Sequence, residues 1–146
     1  MIDVEVEAED WEDALPAAFT LARAAAEAAL AATGKSGGVS VLLTDDEAVR
    51  DLNAEFRKKD APTNVLSFPA AANPEGFLGD IALAFETCQR EAGEQGKQLA
   101  HHLQHLVAHG VLHLVGYDHE ADADAEIMED LERRILGGLG VADPYA

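Results

Sequence analysis

Cysteine is almost missing from this chain. The single one, Cys88, excludes an internal disulfide framework and any zinc site built from cysteine alone. Bases are scarce too: Lys and Arg together number 10 against 28 Asp and Glu, a net charge of −18. A body so acidic repels nucleic acid at long range, which argues against a free-standing RNA or DNA binder. No uninterrupted apolar run approaches the roughly 18–20 residues of a membrane span. No basic-then-apolar signal segment opens the chain, because residues 1–13 hold seven acids and no base. A reducing cytoplasm is the expected compartment. What is present suits a globular protein. The 146 residues are 48% apolar and 26% charged, enough to bury a real core as one domain spanning 1–146.

The charge is uneven. Residues 118–132 hold eight acids and no base and read as a solvated face, whereas three of the ten bases sit together at Arg57, Lys58 and Lys59. Ile2, Val4 and Val6 alternate with acids, the pattern of a half-buried strand. Asp10 or Asp13 can cap a following helix whose apolar stripe is Phe19, Ala22, Ala26 and Leu30. Val39 to Leu43 reads as a second strand. Thr44 with Glu47 forms a capping box for a helix to about Phe56. Short strands are expected at Asn64–Phe68 and Gly79–Ala84. Helices are expected from about Phe85, from about Gln98 to Val115, and from about Ala123 to Leu136. The expected fold is α/β (α+β): one small mixed four-stranded sheet layered with about five helices.

All six histidines lie between 101 and 119. His109 and His113 are four apart on the long predicted helix, so both rings leave one face. Gly116 stops that helix and is expected at positive φ, reversing the chain so that His119 swings back over the pair. Two helical histidines, a glycine turn and a third histidine make the metal-holding pattern of the metzincin zinc enzymes. Three imidazoles leave the fourth zinc position open, as in a catalytic site. His102 and His105 lie on the same face one and two turns back and read as packing or hydrogen-bonding residues. His101 reads as exposed. The residue after the first ligand is Gly110, where a zinc peptidase carries its general-base Glu. The pattern therefore says hydrolase and argues against a peptidase.

The run His109-Gly-Val-Leu-His-Leu-Val-Gly-Tyr-Asp-His119 resembles the HGxLHLxGYDH signature of the YbeY family, zinc-dependent endoribonucleases of rRNA maturation. A second block agrees: Leu52-Asn53, Phe56-Arg57, Asp60 and Pro62-Thr-Asn-Val-Leu-Ser-Phe-Pro69. So do Gly79-Asp80-Ile81, Met128, Glu132, Leu139-Gly140 and Asp143-Pro144-Tyr145. Together they run from roughly Val41 to Tyr145, while residues 1–40 match only in layout. The resemblance implies one Zn2+ per chain on His109, His113 and His119, with Arg57 lining the same cleft and taking part in catalysis. It implies single-strand-specific cleavage of ribosomal RNA, in 3′-end maturation of the small-subunit rRNA and in ribosome quality control. The implied partners are rRNA and small-subunit ribosomal or assembly proteins, with no membrane and no DNA. The competing readings are a non-catalytic zinc-containing ribosome-assembly factor and a zinc peptidase-like hydrolase.

Overall fold

The computed structural model describes residues 2–57, 63–118 and 121–145, and of Arg57 only its place in a helix. The elements run β1 (Ile2–Val6), α1 (Asp10–Ala14), α2 (Ala18–Thr33), β2 (Gly38–Thr44), α3 (Asp46–Arg57), β3 (Val65–Pro69), β4 (Phe77–Ala84), α4 (Phe85–Glu94), α5 (Leu99–Leu114) and α6 (Asp122–Gly138). The four strands form one mixed sheet in the order β1-β2-β4-β3, with β1 and β4 parallel to β2 and β3 antiparallel to β4. The described residues thus carry an α+β fold with six helices, one more than expected, because the chain breaks around Pro16 into α1 and α2.

Strand alternation decides which side is which. Val39, Val41 and Leu43 of β2 and Ile81 and Leu83 of β4 point to one face, into the main core with α2 and α5. Ala82 and Ala84 point to the other, where they form a smaller core with Leu66 of β3 and Val49 of α3. Along α2 the buried residues are Ala18, Ala22, Ala25, Ala26, Ala29 and Leu30. Their small side chains let α2 pack closely along α5, and Gln104 of α5 donates to the Leu21 carbonyl at 3.0 Å. Phe19, expected in that stripe, is 42% exposed. The stripe is built from alanines, and a ring among them would push the two helices apart.

Thr44 does not cap α3. It ends β2, buried, and its hydroxyl donates to Glu7 at 2.7 Å. Asp45 takes the capping role, accepting from the Ala48 N–H at 2.8 Å. The first turns of α3 and α4 then satisfy each other: Asp46 accepts from the Thr87 N–H and hydroxyl, and its own N–H donates to Glu86. Trp11 is fully buried, with its indole N–H on the Thr44 carbonyl at 2.9 Å and its ring edge-on to Phe85.

Candidate metal centre

Helix α5 runs through the middle of the molecule, with α2 and α6 on one side and β3 and β4 on the other. Leu103, Val107, Ala108, Val111 and Leu112 bury it, which leaves the histidines a single stripe between the core and solvent. Its seat on the sheet is close. A Cβ at Gly110 would lie 3.0 Å from Ile81 Cγ2 and 3.2 Å from Ser67 Oγ. The Ser67 hydroxyl faces the Gly110 carbonyl at 3.4 Å. The position that carries a peptidase's Glu is here the contact point of helix and sheet.

The helix ends as the sequence predicts. Tyr117 N–H donates to the Leu112 carbonyl at 3.0 Å and Gly116 N–H to the His113 carbonyl at 3.1 Å, the paired bonds of a Schellman cap. Gly116 has φ 102. The chain therefore turns back directly after His113. His119, the next expected ligand, lies outside the described residues, as do Lys58, Lys59 and Asp60 and the side chain of Arg57. Arg57 itself is the last residue of α3.

His109 and His113 are brought together, with 3.1 Å between their Nε2 atoms. Two imidazole ligands of one tetrahedral zinc, each ~2.0–2.1 Å from it, stand roughly 3.3 Å apart. The spacing fits a shared ion. Among the described residues no group of three or more metal-type side chains closes around a point.

Behind the pair stands a residue the sequence reading did not assign. Glu132 of α6 is fully buried and its Oε1 accepts from His109 Nδ1 at 2.6 Å. A proton held on Nδ1 puts the lone pair on Nε2, on the side shared with His113, the carboxylate–histidine arrangement of zinc sites. The other Glu132 oxygen takes His105 Nε2 at 3.1 Å and the Tyr145 hydroxyl. Burial alone would raise the Glu132 pKa, but the hydrogen bonds from His105, His109 and Tyr145 outweigh it and hold the carboxyl down to about 2. The sequence did carry a signal. Met128, Glu132, Ile135 and Leu136 are the buried stripe of α6, and Glu132 is the one acid in it.

The other described histidines are held by acids or by packing. His102 is buried and reaches Glu91 at 3.0 Å; burial pulls its pKa down against the pull of Glu91. His105 is given to Glu132. His101 is half-buried, not exposed as expected, and lines a cavity of about 300 Å³ with Lys97, His105 and Asp143. No described helix is long and apolar enough to cross a membrane.

Comparison with known proteins agrees over the whole fold. A family model described as Endoribonuclease YbeY matches residues 2–140. A protein named Endoribonuclease YbeY from Azorhizobium caulinodans is 56% identical, over 99% of this chain and 96% of its own length. One of the same name from Rhodopseudomonas palustris is 53% identical, over 99% of this chain and 80% of its own length. The solution structure of a Thermotoga maritima protein superposes with a TM-score of 0.62 at 27% identity, covering 99% of this chain and 98% of the other. With the same fold, the helical histidine pair and relatives more than half identical along its length, the chain belongs to the YbeY endoribonuclease family.

Proposed function

We propose that this chain, acting as one domain, is a metal-dependent endoribonuclease that cleaves single-stranded ribosomal RNA in small-subunit 3′-end maturation and ribosome quality control. The observation that carries the metal reading is the 3.1 Å approach of the His109 and His113 Nε2 atoms, with a buried carboxylate on the far nitrogen of His109. His119 completes the set from beyond the Gly116 turn, and three imidazoles with an open fourth position suit a catalytic zinc, though they would also accept nickel, copper or iron. When bound, such an ion supplies Lewis-acid polarisation of a phosphoryl oxygen and a water acidic enough to attack phosphorus near neutral pH.

The chain's own residues do the rest. Glu132 keeps the His109 proton on Nδ1 and its ring in place. The Arg57 guanidinium, a planar fork, holds two phosphate oxygens as charge builds in the transition state. Lys58 and Lys59 attract the backbone as point charges. The partners follow from this role: rRNA and small-subunit proteins, in the cytoplasm. A non-catalytic assembly factor has no use for an open metal position, and Gly110, packed tightly against Ile81, stands where a peptidase carries its base.

The test is elemental analysis of the purified protein beside cleavage of an rRNA fragment with and without chelator. One zinc per chain and activity lost to chelator and restored by zinc are expected, with both lost in His113→Ala. Metal-free protein that cleaves at full rate overturns the reading.

A further inference from the structure

The segment that follows α6 is held on the molecule by an unusual set of contacts. Arg133 Nε donates to both Asp143 carboxylate oxygens, at 3.2 and 3.3 Å, while its Nη1 donates to Asp130 at 3.0 Å. Asp143 Oδ1 in turn accepts from the Tyr145 N–H at 2.8 Å. The Arg133 guanidinium carbon lies 5.2 Å from the centre of the Tyr145 ring. From that position Tyr145 sends its hydroxyl inward to Glu132 Oε2, beside the edge-on ring of His105. Arg133 and Glu132 are neighbours on α6. One grips the segment from outside, and the other receives its tyrosine from inside.

This is a poor arrangement for burying apolar surface, since Tyr145 stays 40% exposed. What the contact does fix is the Glu132 carboxylate. Without the phenol, Oε2 keeps, among the described residues, His105, which rides on the same helix as His109. The carboxylate could then turn away from His109 Nδ1. The phenol reaches it from a separate segment and closes that rotation.

We propose that Tyr145 is a positioning residue for the metal centre, acting through Glu132 on His109, and that the Arg133–Asp143 clip exists to deliver it. This rests on the metal reading above and adds Asp143 and Tyr145 to the site.

The test is a double-mutant cycle on zinc affinity, read by competition with a chromophoric chelator, using the parent protein, Tyr145→Phe, Glu132→Gln and the double variant, with thermal melts alongside. Tyr145→Phe is expected to keep the fold and bind zinc about 10-fold more weakly. In the Glu132→Gln background the same change should add nothing. Parent-like affinity in Tyr145→Phe overturns the proposal, as does an equal loss in both backgrounds, which would mean that the tyrosine acts independently of Glu132. If Tyr145→Phe does not fold, Asp143→Ala opens the clip at its other end. The same weakening is then expected, and unchanged affinity is the contrary result. His113→Ala separates the two levels. If it binds zinc as the parent does, the metal reading fails and this proposal with it. If it abolishes binding while Tyr145→Phe leaves binding intact, only this proposal falls.

Discussion

At the scale of single residues, Gly116 and Cys88 show how little of a site or core is interchangeable. Gly116 at φ 102 occupies backbone space that other residues enter only with strain. Gly116→Ala is expected to cost about 1–2 kcal/mol in urea denaturation. If His119 closes the metal set, the variant should also weaken zinc binding, because the turn that returns it has moved. Cys88 is fully buried beside the Asn64 carbonyl, and burial, then Glu91 and Asp46, push its thiol far up. It should resist thiol reagents in the native protein and react once urea is added. The linkage has a definite sign. The unfolded thiol ionises near pH 8.5 and the folded one does not. The stabilisation is therefore complete below that pH and lost above it. Between pH 8 and 10 stability should fall less steeply in Cys88→Ala than in the parent, as measured by denaturant melts at each pH.

At the scale of elements, α5 carries both the core and the histidines, so its packing against α2 bears on the site. Ala26 is fully buried in the alanine stripe of α2. Ala26→Leu, a change any helix tolerates by propensity, should overpack that seam and destabilise by about 1–3 kcal/mol. Thermal unfolding would show it. The elements themselves were largely readable, because periodicity is a local property: β1, β2, β4 and α5 lie within a residue or two of their expected bounds. The errors arose where a distant partner decided. Thr44 looks like a cap until β2 extends through it and Glu7 claims its hydroxyl. The same holds for the site. His109, His113 and Gly116 are linked by helix geometry alone and are legible in the spacing. Glu132 and Tyr145 reach the same place only because α6 packs on α5, which no local pattern reports.

At the scale of the whole molecule, the net charge of −18 sets the terms on which RNA can approach. A basic nuclease binds tightly at low salt and weakens steeply as salt rises. With three clustered cations at Arg57, Lys58 and Lys59, the log–log salt slope for a single-stranded RNA should be no steeper than about −2. Titrations across salt concentration measure it. Arg57→Lys should leave folding and zinc unchanged and slow cleavage, since the two-pronged contact is lost with the charge kept. Lys58→Ala and Lys59→Ala should act mainly on affinity. Fast cleavage by Arg57→Lys beside dead lysine variants would reverse these roles. The close seat of α5 on the sheet has a further consequence, for the paths along which such an enzyme can change. A zinc peptidase needs a Glu directly after the first helical histidine, and a single substitution at Gly110 would write that motif here. The new side chain would begin 3.0 Å from Ile81, inside the contact that holds the helix to the sheet. The Ile81 and Ser67 side chains would have to give by a few tenths of an ångström, in the same seam that positions the histidines the carboxylate was to serve. A change toward that motif would therefore strain the contact of helix and sheet before its carboxylate could serve a metal.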